Sequence, residues 1–375
     1  MRRRLMVILL AVTLGTVLHA QSEIHELQQA LESARGSERV ALLNKIARAT
    51  QGNAPAESIP YAEEALQLAG SLNDLPGKTN ALNNLGIAHY FLGNYDTALG
   101  YYRQSLSLAE ELGDDELTAN ALNNIGIIHF VWGEYEETLE YYSRTLEIRQ
   151  GGDDKKGLAS AYNNLGNVYY AAERYDESLT YYAEALPLYD ELGNEGLVAS
   201  TRNNIGLSLL KMGRMDESLE EFETARGIEE RIDDKPGLAR SLDHIGMVYD
   251  SWGRHEDSLA HHRRALAVRE EIGDRQGVAI SLLNIGTTYA ELGEHEESRQ
   301  HLNRALRAAT ELNLKEVERD IHEGLSRSYE EAADLEKALE HYQRFKEVQD
   351  QLFDEQTGRR LAELQARYQV EKKDR

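Results

Sequence analysis

The chain has 375 residues, 65 of them acidic and 41 basic, for a formal charge of −24. That balance argues against nucleic acid, which needs a basic footprint, and against docking on anionic lipid. Solubility is its simplest reading, ahead of a specific basic partner. There is no cysteine, so disulfides, thiolate metal sites and cysteine catalysis are excluded.

The N-terminus carries Arg2, Arg3 and Arg4, then an apolar run over 5–17 broken only by Thr and Gly, then Ala20 before Gln21. This pattern predicts a secretory signal peptide over 1–20, hence an exported protein. Leu18 is larger than the small residue usual two positions before a cleavage site, so an uncleaved anchor is the alternative. The run is short for a spanning helix, which needs about 20 apolar residues. Segment 21–78 follows. Helical spacing predicts a helix over 23–35, a second capped by Ser37 that carries Val40, Leu43, Ile46 and Ala47, and a third opened by Pro55. These form a degenerate first repeat, as expected of a terminal capping unit.

From 79 to 355 one pattern recurs with a step of 40 residues. Ala81-Leu82-Asn83-Asn84-Leu85-Gly86 returns at Ala121-Leu122-Asn123-Asn124-Ile125-Gly126, at Asn163-Asn164-Leu165-Gly166 and at Asn203-Asn204-Ile205-Gly206. Weaker copies stand at Asp243-His244-Ile245-Gly246 and Leu283-Asn284-Ile285-Gly286. Such a period means stacked units that bury a core only against their neighbours. Each unit reads as helix A, a glycine turn (Gly93, Gly133, Gly213, Gly253, Gly293) and helix B, which starts with acid (Asp96, Asp176, Asp216) suited to the N-terminal dipole. A glycine in the middle of helix A costs about 1 kcal/mol relative to alanine. Its repetition predicts close approach of helix B, at the small residues Ala98, Thr138, Ser178, Ser218, Ser258, Ser298 and Ala338.

Leu85-Gly86 with Ala98 and Tyr102, Gly166 and Tyr169 with Ser178, Tyr182 and Ala185, and Gly246 and Tyr249 with Ser258 and Ala265 resemble the tetratricopeptide repeat over about residues 37–350. The lengthened unit and the Asn-Asn-Leu-Gly block resemble the subgroup found in kinesin light chains, Pins-type polarity adaptors and many bacterial signalling proteins. The resemblance implies an all-α, right-handed superhelical solenoid of about eight helix-turn-helix repeats, its concave face lined by the A helices.

Asparagine is a poor helix former, yet it fills two adjacent slots of helix A. Asn84, Asn124, Asn164, Asn204 and Asn284 share one slot, with His244 interrupting the series. Asn83, Asn123, Asn163 and Asn203 share the other, and Asn80 and Asn120 lie one turn upstream. Two readings are open. The amides bridge neighbouring repeats, or they face a groove and offer a donor and an acceptor to a bound backbone. The second is favoured by solenoid geometry and by the resemblance, which implies a ladder that grips an extended peptide.

The twelve histidines invite a metal site, above all His255, His261, His262 and His301, but they fall on slots that other repeats fill with tyrosine. No His-Glu-x-x-His, phosphate loop or Gly-x-Ser-x-Gly appears, so neither a metal, a cofactor nor an enzymatic activity is expected. Segment 356–375, with Leu361, Leu364 and Tyr368 at coiled-coil spacing, resembles the connector helix of bacterial signalling proteins and predicts a weak dimer. The expected function is a non-catalytic, exported, periplasmic scaffold for a protein or extended peptide. The alternative is the sensor segment of a membrane signalling protein whose output module lies beyond residue 375.

Overall fold

The computed structural model describes residues 24–374, so the segment read as a signal peptide lies outside the described residues. Among the described residues there are seventeen helices and no strand. Helix α1 covers 24–33. Eight A helices follow at alternate positions: α2 Gly36–Thr50, α4 Leu75–Phe91, α6 Asp115–Val131, α8 Lys155–Ala171, α10 Glu195–Lys211, α12 Lys235–Ser251, α14 Arg275–Glu291 and α16 Lys315–Glu331. The B helices are α3 Pro55–Leu72, α5 Tyr95–Leu112, α7 Tyr135–Gln150, α9 Tyr175–Glu191, α11 Met215–Ile232, α13 His255–Ile272, α15 His295–Glu311 and α17 Leu335–Asp374. The chain divides into two compact units, 1–161 and 162–375, within helix α8. No helix among the described residues is long and apolar enough to cross a membrane.

The helix boundaries follow from local chemistry. Asp74, Asp114, Asp234 and Asp274 each accept the backbone N–H three residues on, at 2.8–3.1 Å, and so start α4, α6, α12 and α14. Ser37 does not cap α2 as expected. The helix already begins at Gly36, its N-cap is Arg35, and no side chain caps it. Five A–B turns close on glycines at positive φ, from 69° at Gly253 to 77° at Gly293, and Glu173 and Ala333 take the same position at 59° and 58° under the strain an L side chain meets there.

The mid-helix glycine has a reason that the periodicity only half reveals. A Cβ built on Gly166 would lie 2.5 Å from Cε1 of Tyr182, and one on Gly206 would lie 2.5 Å from Cε1 of Phe222. The same slot is filled by Tyr102 over Gly86, Tyr142 over Gly126, His262 over Gly246 and Leu302 over Gly286. What helix A admits is a bulky B-helix side chain laid flat against its backbone. The small B-helix residue supports this closeness. Ser218 Oγ donates to the Gly206 carbonyl at 2.7 Å.

A second ring pair recurs beside it. His89 stacks on Tyr101, His129 on Tyr141, Tyr169 on Tyr181, Tyr249 on His261 and Tyr329 on His341, with centroids 5.1–5.5 Å apart. Histidine and tyrosine alternate freely because the slot selects a flat amphipathic ring. Among the described residues no histidine joins a cluster able to hold a metal ion.

Candidate functional site

In the first unit the A helices α2, α4 and α6 pack side by side, and their asparagines bond from one repeat to the next. Asn84 is 6% exposed. Its Nδ2 donates to the Asn44 carbonyl at 3.1 Å and to Asn44 Oδ1 at 3.0 Å. Asn44 donates in turn to the Gly77 carbonyl at 3.0 Å. Asn124 donates to Asn83 Oδ1 at 2.8 Å, and Asn123 to Asn124 Oδ1 at 3.5 Å. These amides hold the repeats in register, since a buried amide must find partners.

Beside that seam lies a cleft of about 380 Å³ whose wall includes Asn44, Asn80, Asn83, Asn84 and Asn120 together with Lys45 and Arg48. Three of these amides keep a hydrogen-bonding atom in hand. Asn83 accepts from Asn124 and retains its own Nδ2. Asn120 accepts from Arg149 at 2.7 Å and likewise retains Nδ2. Asn80 donates to the Pro76 carbonyl at 3.0 Å and retains Oδ1. An amide with one atom anchored and the other turned to a cleft is oriented without being spent. Four predicted residues thus come together here. Asn44, Lys45 and Arg48 were missed because the first repeat departs from the motif, although Asn44 stands forty residues before Asn84.

In the second unit the corresponding residues differ among themselves, and Asn203 is the most deeply committed. Asn203 is 4% exposed. It donates to Glu229 at 3.0 Å and to Ser241 Oγ at 2.9 Å. Asn204 donates to Asn167 Oδ1 at 3.2 Å, and Asn163 Oδ1 accepts from Thr201 at 3.4 Å. Asn164 is half-buried, as is Asn284, whose side-chain amide makes no hydrogen bond among the described residues. His244 was expected to interrupt the series, and it does not. Its Nδ1 lies 3.2 Å from Asn203 Oδ1, a bond across 41 positions like the one from Asn124 to Asn83. An imidazole N–H replaces the amide N–H. Burial pushes the His244 ring down to about 4, so the neutral form makes that bond.

The second unit also holds a buried ionic cluster that the motif did not announce. Arg269 binds Asp243 and donates to the Gly277 carbonyl at 3.0 Å and Ser281 Oγ at 2.6 Å. Asp243 Oδ1 lies 2.6 Å from His262 Nδ1. Burial by itself would raise the Asp243 carboxyl, but the hydrogen bond from His262 and the charges of His262 and Arg269 hold it below the usual range. Burial by itself would lower His262, but its hydrogen bonds to Asp243 and Asp250 raise it. The cluster joins consecutive A helices through a B-helix side chain. Nothing in it is an exposed nucleophile or an open metal position.

The family model for the tetratricopeptide repeat matches residues 38–111, 112–191, 197–271 and 277–351. The chain belongs to the tetratricopeptide repeat family. Its fold is the family's all-α helical solenoid, and solved structures agree. The apo quorum sensor NprR from B. thuringiensis is similar at TM-score 0.68 and 14% identity, over 91% of this chain and 96% of that one. The Rap conjugation gene regulator of plasmid pLS20, in complex with a peptide, is similar at TM-score 0.57 and 18% identity, over 84% and 97%. Aspartyl phosphate phosphatase F from Bacillus subtilis is similar at TM-score 0.53 and 14% identity, over 84% and 95%. At these identities the likeness is one of fold. No curated protein matches the sequence.

Proposed function

We propose that this tetratricopeptide array is a non-catalytic scaffold that binds an extended peptide or protein segment along its first unit. The observation that carries the reading is the 380 Å³ cleft, where Asn80, Asn83 and Asn120 each keep one amide atom available beside Lys45 and Arg48. Two free donors, on Asn83 and Asn120, and one free acceptor, on Asn80, suit the carbonyl and N–H groups of a peptide backbone. The two cations suit an acidic side chain or a terminal carboxylate. The peptide-bound structure of the pLS20 regulator supports the reading, because that protein holds a peptide on a similar fold. The non-catalytic part rests on the absence of a catalytic motif from the sequence. A fold shared with a phosphatase does not decide it.

Export is part of the same proposal, supported by Arg2, Arg3, Arg4 and the apolar run that follows. So is the resemblance of the 40-residue units to those of periplasmic sensor regions. Selection of a random-sequence peptide library on the immobilised full chain tests the binding reading. The expected result is enriched peptides that slow hydrogen exchange over 37–48 and 80–84. No enrichment, or protection confined to other repeats, overturns it.

A further inference from the structure

A second cleft, of about 700 Å³, lies in the second unit between α15 and the start of α17. It sits on B helices, the end of α16 and the A–B turn that follows it, apart from the asparagine slots. Arg299, Arg304, Arg307 and Lys337 line it, against two acids, Glu296 and Asp334. Four cations converging in a chain of net charge −24 call for an explanation.

Two of the four break the array's own pattern, and a third is the lone cation of its slot. The slot of Arg299 is leucine in the other regular repeats: Leu99, Leu139, Leu179, Leu219, Leu259 and Leu339. Lys337 stands where Thr97, Glu137, Glu177, Glu217, Asp257 and Glu297 stand, and Arg307 where the array otherwise has Ser107, Glu147, Pro187, Gly227, Ala267 and Glu347. Packing does not require these changes, because the sister repeats pack without them.

The cleft is also built. The Arg299 side chain is only 16% exposed. It donates to the Ser328 carbonyl at 3.2 Å and to Glu296 at 2.7 Å. Its guanidinium lies 5.2 Å from the Tyr329 ring centroid, and Lys337 Nζ lies 5.2 Å from the same centroid. Lys337 is paired with Asp334 at 3.2 Å. Arg304 reaches Glu270 only at 3.9 Å. Arg307 has no ion pair among the described residues. Two cations therefore remain in surplus after every acid in the cleft is matched.

We infer that this B-helix cleft binds a short acidic peptide segment, with Arg304 and Arg307 taking its carboxylates and Arg299 and Lys337 fixing the Tyr329 floor beneath it. The volume falls in the range of ligand sites, roughly 300–1,000 Å³. Gln300 and Asn303 also line it; their amide nitrogens donate to Glu296 and to the Arg299 carbonyl, which leaves their amide oxygens to accept from a peptide backbone. The strongly acidic remainder of the chain repels long polyanions and anionic membranes, which leaves a short segment as the partner.

The test is fluorescence anisotropy of labelled hexaglutamate on the full chain at low salt. The variants are the double substitution Arg299→Leu with Lys337→Glu, which restores residues the array carries elsewhere, and Arg307→Ala, which alters an exposed side chain. Saturable binding is expected, at least tenfold weaker in the double variant and severalfold weaker in R307A, with no binding of hexalysine and no effect of Asn83→Ala. Should the double variant lose its native circular dichroism, R307A decides alone. Absence of hexaglutamate binding, equal binding by folded variants, or displacement by equimolar inorganic phosphate, which marks a small-anion site, overturns the inference.

Discussion

Ser326 takes the glycine slot of the last helix pair, and Tyr342, sixteen positions on, stands 51% exposed, whereas Tyr182, the same distance after Gly166, is 1% exposed. Ser326 Oγ instead donates to the Ala338 carbonyl at 2.9 Å. Leu339 on the same helix is 58% exposed where Leu99 is 5%, because among the described residues no further A helix packs on α17.

Gly166→Ala should destabilise the second unit, because the new Cβ meets Tyr182 at 2.5 Å. Overpacking of this kind costs about 1–3 kcal/mol, offset by up to about 1 kcal/mol of helix propensity. Urea denaturation measures the balance. An unchanged or raised midpoint would show that the ring moves aside at no cost.

Arg269→Ala should cost more, up to about 3–5 kcal/mol, because it removes one of the two cations that hold the buried Asp243 carboxylate and leaves His262 alone to pair with it. Asn83 with Ala109 is the pairing the array uses at the same two slots in its second repeat. The double variant Asp243→Asn with Arg269→Ala reproduces it and should recover a large part of the loss. A double variant no more stable than R269A would mean that the ion pair is not what the site lacks.

His244 gives an acid-side signature. Its folded-state value, about 4, lies below the ordinary 6.5, so protonation favours the unfolded chain. Its destabilising contribution is absent above about pH 6.5 and grows as pH falls toward 4. His262 acts in the opposite sense. Its raised value stabilises the fold below the ordinary histidine range, and that stability is lost as pH rises through the folded value. His244→Asn, which restores the array's own residue, should flatten the stability loss between pH 7 and 4.5. Parallel urea midpoints for the two proteins at both pH values would contradict this.

The helical period was legible because a 40-residue step repeats the same burial problem each time, and the flat-ring slots were legible because histidine and tyrosine trade places in them. Three things were not. The sequence shows that Gly86 must face something close, but not that this is Tyr102 rather than backbone. It shows Asn83 and Asn84 as equivalent neighbours, yet a helical residue advances the side chain by about 100°. Asn84 is therefore buried against Asn44, while Asn83 reaches the cleft. The cluster of Asp243, His262 and Arg269 spans 26 residues and looks like unrelated departures until the helices are stacked. Its signal was present as paired changes at slots 243 and 269, where Asn203 and Glu229 stand one repeat earlier.

The fourth prediction separates amides that fold the array from amides that serve a ligand. Asn84→Ala leaves the Asn44 side chain and carbonyl without their donor, and losing buried partners costs about 1–3 kcal/mol. It should lower the urea midpoint. Asn83→Ala and Asn120→Ala, at half-buried positions, each remove a single acceptor, from Asn124 and from Arg149, and should lower it less. If all three fall equally, the cleft-side amides are structural as well.

The central claim is that the asparagine cleft of the first unit grips a peptide. The most direct measurement is the dissociation constant of a library-selected peptide for the wild-type chain and for the double variant Asn83→Ala with Asn120→Ala, with circular dichroism melts of both. Each net hydrogen bond is worth about 1 kcal/mol, so the account predicts roughly thirtyfold weaker binding by a protein that melts nearly as before. Unchanged affinity in the folded double variant would contradict it.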